Sequence, residues 1–281
     1  MKKVVLEDKQ KNIILCFVSI CVACIMLFPI YWIIVSSFKT NAEIFASPPT
    51  FIPKDFTLSS YTDQFTGKSS IIVTLANSCK VALASMILAC VLAIPAAYGL
   101  ARFRMRGKKV FILIFLVTQM LPVALLLTPM FLVYKNLHLL DTLWAPILSD
   151  ATISVPFVVL ILRTYFLALP KELEDSAKID GCNTFTAFTK IMIPISYPGL
   201  IMTGAFSFLY AWGDLAYSLT FLTSPEKRTM TASIYNFMGK YGIQWNSIMA
   251  YGVLLVLPVV LIFIFLQKYI IGGLTNGAVK G

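Results

Sequence analysis

The sequence is poor in charge and in histidine. Only 13% of its 281 residues are charged, whereas soluble domains average about 25%. The single histidine, His138, has no cluster of carboxylates or cysteines beside it, which argues against a metal site or a histidine-based catalytic site. No G-x-x-x-x-G-K-[ST] segment is present, so this means of binding ATP phosphates is lacking. We therefore expect no catalytic residue, no metal ligand and no cofactor on this chain.

The cysteine pattern argues against a small secreted domain held together by disulfide bonds. The six cysteines show no spaced framework of the kind that small secreted domains use. Cys21 and Cys24 form a CxxC, but they lie in an apolar run without further ligands, so packing or lipid contact is the simpler interpretation. The net charge of +10 is explained better by basic cytoplasmic loops of a membrane protein than by nucleic-acid binding.

What the sequence does have is length in its apolar runs. Hydrophobic residues make up 58% of the chain, and a membrane-spanning helix needs about 20 mostly apolar residues. Six segments exceed that length, and we predict an all-α membrane protein with six transmembrane helices in a single domain, residues 1–281. The segments are 13–38, 71–100, 110–134, 144–169, 191–222 and 248–271.

Basic residues predict the orientation of these segments. The stretch "ARFRMRGKK" between the second and third segments holds five Lys and Arg, and the alternate loops hold most of the others. Because cytoplasmic loops are enriched in Lys and Arg, we predict that both termini are cytoplasmic. The chain should then be a multi-pass protein of the cell (inner or cytoplasmic) membrane.

The decapeptide "ELEDSAKIDG", residues 172–181, is a polar insert between two apolar runs. It holds four of the 13 acidic residues. The first acids lie near a helix start, Gly181 suits a helix end, and Asn183 or Thr184 can cap a second short helix that carries Phe185 and Phe188. The pattern predicts two short helices that fit a groove on another protein, or else an ordinary amphipathic interfacial loop.

The stretch from 170 to 194 resembles the "EAA" cytoplasmic loop of carbohydrate-class ABC importer permeases. That loop reads approximately ELEEAAxIDGA, followed by a gap and I-x-x-P, and the resemblance extends to "FLTSPEKRT" and to the tail "GLTNGAVKG". The chain is therefore identified as a MalG-like member of the family, with the type I importer permease fold. It departs from the usual motif at Asp175, where Glu is common, and at Ser176, where Ala is common.

The resemblance implies the partners. Such permeases form a heterodimer with a second, MalF-like permease; a cytoplasmic ATPase dimer binds ATP and magnesium, and an extracytoplasmic binding protein delivers the sugar. The loop 170–194 would couple the ATPase to the permease, with the key acid at Asp175 or its neighbour. The implied coupling residues are Glu172, Glu174, Asp175, Ala177, Asp180, Gly181, Phe185 and Phe188.

Two further segments are implied to contact partners. The tail 272–281 would reach the ATPase through Thr275, Asn276, Gly277 and Lys280. The extracytoplasmic loop 223–247 would approach the binding protein, and its aromatic and amide side chains suit sugar stacking and hydrogen bonding as well as anchoring at the membrane interface. Its candidates are Tyr235, Tyr241, Gln244, Trp245 and Asn246.

Polar residues inside the apolar segments are candidates for the translocation pathway. Asp214 is the clearest candidate, and Gln119 and Trp212 are the other two. A role in helix packing would explain Asp214 equally well. Asn77, Asp150 and Arg163 are weaker candidates.

The function expected from these residues is ATP-driven import of a di- or oligosaccharide, with a polyol or a glycerol phosphate left open as substrate. The chain would not be an enzyme, because hydrolysis would occur on the ATPase subunit. It would contact membrane lipid and no nucleic acid. The alternative is an ion-coupled secondary transporter of a small polar solute, for which one mid-segment acid and no visible internal symmetry offer little support. A structural or signalling scaffold is the third possibility.

Overall fold

Nearly all of the regular structure is helical, as the apolar segments predict. The computed structural model describes residues 2–65, 70–239 and 242–278. The helices are α1 (Lys2–Ser37), α2 (Asn41–Ile44), α3 (Ser59–Thr62), α4 (Ile71–Arg102), α5 (Lys108–Met120), α6 (Val123–Asn136), α7 (Trp144–Ala168), α8 (Glu172–Ile179), α9 (Thr184–Ala187), α10 (Ile193–Ile195), α11 (Tyr197–Trp212), α12 (Ala216–Phe221), α13 (Met230–Ser233) and α14 (Trp245–Ala278). A π-helical turn, Phe188–Met192, joins α9 to α10, and two short strands, β1 (Met238–Gly239) and β2 (Gly242–Ile243), form an antiparallel hairpin.

Within the described part of the chain, four helices are long and apolar enough to cross a membrane. They are Ile14–Ser37 within α1, α4, α7, and Trp245–Gln267 within α14. At about 1.5 Å of rise per residue, even the shortest of them exceeds the roughly 30 Å of a bilayer core. These four coincide with the first, second, fourth and sixth predicted segments, although α14 begins three residues before the predicted start.

The third predicted segment is broken into two helices, α5 and α6, and the fifth into three, α10, α11 and α12. α5 and α6 are bent by 100°, and Thr184–Ile195 is bent by 77° against α11. Pro122 restricts the preceding Leu121 to an extended conformation, and Pro198 lacks the amide that would continue the helix across Ser196. The structure thus corrects the continuity of segments 110–134 and 191–222, and the count of six spans holds only if each bent pair is one span.

The chain divides into two compact units. The first comprises residues 1–65 and 236–256, and the second comprises residues 66–235 and 257–281. In the first unit, the carboxylate of Glu43 accepts hydrogen bonds from Thr50 Oγ1 (2.7 Å), Lys54 N (2.9 Å) and Asp55 N (3.2 Å). The Lys54 and Thr50 hydrogen bonds hold the pKa of Glu43 below its ordinary value. Glu43 therefore organises the loop that follows α2.

The second unit is built around α4, which packs against α7 and α11. A stripe of small residues, one every fourth position, is buried along α4: Ser85, Ala89, Ala93, Ala97 and Ala101. Small residues let helix backbones approach closely, which is how helices associate when the surrounding solvent is itself apolar.

A glycine likewise allows α7 and α11 to approach each other closely. A Cβ added at Gly199 of α11 would lie 2.9 Å from the ring of Tyr165 on α7. The three helices α4, α7 and α11 therefore form the close-packed centre of this unit.

Asp141 joins the turn between α6 and α7 to the segment that follows α12. Its carboxylate accepts hydrogen bonds from Thr223 N (3.0 Å), Ser224 N (2.9 Å) and Ser224 Oγ (2.5 Å), and the Lys227 ammonium lies 3.2 Å away. Its own φ is 55°, in the left-handed region that Asp adopts more readily than most residues. Partial burial raises the pKa of Asp141, but the hydrogen bonds from Ser224 and the Lys227 charge outweigh it and hold this pKa well below its ordinary value.

The substitution Asp141→Asn should lower the free energy of unfolding by about 1.5–3 kcal/mol at pH 7, because it removes the charge from this set of hydrogen bonds. A depressed folded-state pKa contributes stability above the unfolded pKa of about 3.9, and that contribution is lost as the pH falls further. The difference between wild type and variant should therefore shrink below about pH 4. Unfolding in detergent micelles at several pH values measures it. Asp55→Asn, at an exposed carboxylate in the first unit, is the control, and equal effects of the two substitutions would contradict the assignment.

Candidate functional site

The polar decapeptide forms α8, as its pattern predicts. Glu172, Glu174 and Asp175 lie in the first turn, where the positive end of the helix dipole favours acids, and Lys178 lies in the last. The helix ends in a Schellman motif: Cys182 N donates to Ala177 O (2.9 Å) and Gly181 N donates to Lys178 O (3.0 Å). Gly181 has φ of 83°, so glycine is required here by backbone conformation and not by space.

A second helix follows at once. Asn183, one of the two predicted capping residues, accepts a hydrogen bond from Thr186 N (2.8 Å) at the start of α9. The helix then continues through the π turn to Ile195. Pro194 therefore lies inside this second helix, and the chain breaks at Ser196, immediately before α11. We use the name coupling loop for residues 170–195, that is, α8 with this second helix.

Glu174 faces the interior of the fold. Its Oε1 lies 2.7 Å from Nε of Arg102, the last residue of α4, and the two side chains are only 13% and 4% exposed. The same guanidinium donates from Nη2 to the carbonyl of Leu169, which caps the end of α7 (3.0 Å). Arg102 therefore binds α4, the end of α7 and the coupling loop together at one point.

Aromatic packing supports this junction from the other side. The ring of Tyr98, one turn before Arg102 on α4, lies 4.6 Å from that of Phe188 and 5.7 Å from that of Phe166, measured between centroids. Ala177 of α8 and Ala187 of α9 are also buried. The inner side of the coupling loop is thus fixed on α4 and α7 by an ion pair and by apolar contacts.

The opposite side of the coupling loop is open to solvent. Ile179 is 86% exposed and Phe185 is 73% exposed, an unusual position for large apolar side chains in a polar segment. Asp175 is exposed as well, and its carboxylate pairs with Lys178, three residues further on, at 3.0 Å. We call Glu172, Asp175, Ile179, Asp180 and Phe185 the exposed face of the coupling loop.

The eight predicted coupling residues therefore fall into two groups. Glu174, Ala177 and Phe188 face inward. The other five lie on or beside the exposed face: Glu172, Asp175, Asp180, Gly181 and Phe185. Sequence patterning could not separate adjacent Glu174 and Asp175, because the inner partner Arg102 lies on a helix far away along the chain. The hint of this pair in the sequence was Arg102 itself, because it is a basic residue at the end of a long apolar run.

The three pathway candidates occupy different environments. The Asp214 carboxylate accepts hydrogen bonds from Tyr217 N (3.1 Å) and Ser218 N (2.8 Å), so it caps α12, and the residue also lines an open cavity of about 390 Å³ between α6 and α11. Trp212 is buried and stacks on Phe208. Gln119, at the exposed end of α5, donates to Ile153 O (2.9 Å). Asp214 thus lines a cavity, and the pathway assignment of all three residues stays a prediction.

Asp150, a weaker candidate from the sequence, is fully buried in α7. Among the described residues neither of its carboxylate oxygens has a hydrogen-bond partner. A buried acid without a donor is expensive, and so it is a functional candidate on the same grounds as Asp214. No sequence pattern could predict that the Asp150 carboxylate would lack a hydrogen-bond donor among the described residues.

The candidates for contact with a binding protein lie partly on the β1–β2 hairpin. Asn41 organises this region of the first unit: its Nδ2 donates to Ile243 O (3.2 Å) and its Oδ1 accepts from Trp245 N (3.0 Å). Gln244 is exposed beside a small cavity of about 240 Å³, whereas Trp245 and Asn246 already belong to α14 and are half-buried. The predicted loop 223–247 therefore ends at Gln244. Tyr235 is exposed just before the hairpin, and Tyr241 lies outside the described residues.

The predicted C-terminal contact segment begins within a helix. The backbone of Thr275, Asn276 and Gly277 continues α14, which ends at Ala278, and Lys280 lies outside the described residues. Over residues 2–65, 70–239 and 242–278, no three His, Cys, Asp or Glu side chains are grouped as a metal site would need.

Comparison with known proteins adds a family to this geometry. The family "Binding-protein-dependent transport system inner membrane component" matches residues 89–275. The diacetylchitobiose uptake system permease protein DasC of Streptomyces coelicolor is 31% identical, over 91% of this chain and 92% of its own. The sulfoquinovosyl glycerol transport system permease protein SmoH of Agrobacterium fabrum is 33% identical, over 91% of this chain and 89% of its own. The arabinooligosaccharides transport system permease protein AraQ of Bacillus subtilis is 32% identical, over 91% of each chain.

Two solved structures share the fold. A chain of a bacterial ABC transporter involved in the import of the acidic polysaccharide alginate superposes with a TM-score of 0.78 at 22% identity, over 94% of this chain and 97% of that one. A chain of a bacterial alginate ABC transporter in complex with a periplasmic protein bound to alginate pentasaccharide gives a TM-score of 0.65 at 14% identity, over 92% and 94%. The predicted resemblance to ABC importer permeases is confirmed.

Removal of one member of the Arg102–Glu174 pair should be costly. Arg102→Ala and Glu174→Ala should each lower the free energy of unfolding by about 3–5 kcal/mol, because each leaves an unpaired charge in a buried place. Unfolding of the purified chain in detergent measures this. The matched control is Asp175→Ala, which breaks the exposed pair with Lys178 and should cost about 1 kcal/mol or less. If Glu174→Ala were as mild as Asp175→Ala, the inward pair would contribute no stability.

The turn at Gly181 gives a second test. Gly181→Ala should lower the free energy of unfolding by about 1–2 kcal/mol, because the positive φ puts a Cβ too close to the following carbonyl oxygen. Gly252→Ala is the control, since Gly252 lies in α14 with open space around an added Cβ and an ordinary helical φ. There the substitution should stabilise by up to about 1 kcal/mol. Effects of the same sign at both positions would contradict the role of the left-handed turn.

Proposed function

The chain belongs to the family of inner membrane components of binding-protein-dependent transport systems, and we propose that it is the MalG-like permease subunit of an ATP-driven sugar importer. The matched relatives support the substrate class, since their names refer to diacetylchitobiose, sulfoquinovosyl glycerol and arabinooligosaccharides. A di- or oligosaccharide is the substrate that we infer, ahead of a polyol or a glycerol phosphate.

Three protein partners complete the proposed assembly. A second, MalF-like permease would form the other half of the translocation pathway, and an extracytoplasmic sugar-binding protein would deliver the substrate, as the family name implies. A cytoplasmic ATPase dimer would hold ATP and magnesium, so that hydrolysis takes place outside this chain. Both termini of this chain would then be cytoplasmic.

One observation carries the proposed coupling: the two sides of the coupling loop differ. The exposed face presents a carboxylate, Asp175, together with two large exposed apolar side chains, Ile179 and Phe185, and exposed apolar anchors of this kind are typical of a docking surface. The inner side is fixed by Arg102 to the ends of α4 and α7. A movement of the docked ATPase would therefore be passed to α4 and α7, the centre of the packed unit.

Alternating access follows as a rigid-body motion. Closure of the ATPase dimer would draw this coupling loop towards that of the second permease. The attached helices would rock with it and open the pathway to the binding protein. Asp214 and Asp150 are the polar groups of this chain that we propose to meet the pathway or the second permease.

The exposed face can be tested without disturbing the fold. Asp175→Ala and Phe185→Ala should each weaken binding of the ATPase, measured by co-purification, by about fivefold or more, since truncation of an interface anchor costs more than about 1 kcal/mol. The unfolding free energy of the chain alone should hardly change, because both side chains are exposed. Sugar uptake in cells should fall in parallel.

The matched control removes the same two kinds of side chain elsewhere. Asp55→Ala and Ile52→Ala alter an exposed acid and a 74% exposed apolar residue in the loop after α2. They should leave ATPase co-purification unchanged. If the wild-type chain captured neither an ATPase nor a second permease, or if both pairs of variants behaved alike, the coupling proposal would be wrong.

A further inference from the structure

A basic pocket lies beside the junction of α4, α5 and the coupling loop. It is a groove of about 610 Å³ that is broadly open to solvent. Five basic residues line it: Arg102, Arg104, Arg106, Lys108 and Lys171. No acid lines it, so its interior carries charge of one sign.

The charge of this pocket is largely uncompensated within the chain. Arg102 pairs with Glu174, but Arg104, Arg106, Lys108 and Lys171 have no ion-pair partner among the residues that the structure describes. Four cations around one cavity repel one another, and a bound anion would relieve that repulsion. An excess of Lys and Arg on the cytoplasmic side explains their number, but it does not explain their convergence on a single cavity.

The neighbouring surface is apolar and equally open. Phe103 and Met105, which also line the pocket, are 46% and 41% exposed. From Lys108 the chain enters α5, which has no buried residue, and Val110, Phe111, Leu113 and Ile114 along it are all more than half exposed. A basic pocket thus continues directly into an apolar helix surface at the start of a membrane-embedded segment.

We propose that this pocket binds the headgroup of an anionic phospholipid, with the acyl chains lying along α5. Basic pockets between helix ends on the cytoplasmic side are suited to such headgroups. The exposed Phe103, Met105 and apolar face of α5 favour a lipid over a free phosphate, which would leave them in water. The lipid connects α4 and α5 to Lys171, the residue that precedes α8, and so it holds the base of the coupling loop.

Lipid binding to the full chain tests the assignment. The purified protein in phosphatidylcholine nanodiscs is titrated with a short-chain phosphatidylglycerol, and bound lipid is counted by native mass spectrometry. Arg104→Gln combined with Arg106→Gln should weaken phosphatidylglycerol binding by about tenfold or more, since each basic residue near an anionic headgroup contributes about fivefold. Lys54→Gln combined with Lys135→Gln removes the same charge away from the pocket and should leave the affinity unchanged.

Two further measurements test whether the result comes from poor membrane insertion of the variant or from binding of a soluble anion. Arg104→Lys combined with Arg106→Lys keeps the charge that sets orientation, so it should retain most of the lipid binding even if the glutamine variant inserts poorly. Inorganic phosphate and glycerol phosphate, added in excess, should compete weakly. Equal affinities for phosphatidylglycerol in the pocket and control variants, or equal binding of phosphatidylcholine, would overturn the proposal. Full competition by inorganic phosphate would also overturn it, because it would identify a site for a soluble anion.

Discussion

The ion pair between Arg102 and Glu174 is the interaction on which the rest of the arrangement depends, because it joins three elements with one side chain. Arg102 ends α4, reaches the carbonyl that caps α7, and holds the first turn of α8. Buried pairs add little stability relative to apolar packing, but removal of one partner is costly because the other charge is left buried and unpaired. This pair provides position: it sets which acid of the decapeptide faces inward and which remains exposed to solvent.

The same helix that carries Arg102 also carries the packing of the second unit. Small residues at every fourth position let α4 lie close to α7 and α11, so a force applied at its end reaches a close-packed centre and not a mobile loop. The exposed face of the coupling loop and the basic pocket both depend on where α4 ends. Arg102, the last residue of α4, lines the basic pocket and also pairs with Glu174 of the coupling loop, so the proposed lipid site and the proposed docking surface both adjoin this helix end.

The sequence predicted what depends on local patterns and missed what depends on distant partners. Helical runs, the helix end at Gly181 and the cap at Asn183 follow from neighbouring residues, and the structure has all of them. The breaks at Pro122 and Ser196 were harder, since prolines occur throughout the apolar runs and only tertiary packing decides which of them bend the chain. The inward turn of Glu174 and the hydrogen bonds of Asp141 needed partners that no local pattern identifies.

The most direct test of this account is whether the coupling loop and α4 move as one body. With the six native cysteines replaced by serine, spin labels at Lys190→Cys on the coupling loop and Leu92→Cys on the exposed side of α4 report the distance between them. In the assembled transporter the distance distribution should be the same with and without trapped ATP. It should broaden when Arg102→Ala is added. A distance that changed with the nucleotide state while Arg102 and Glu174 were intact would contradict the account.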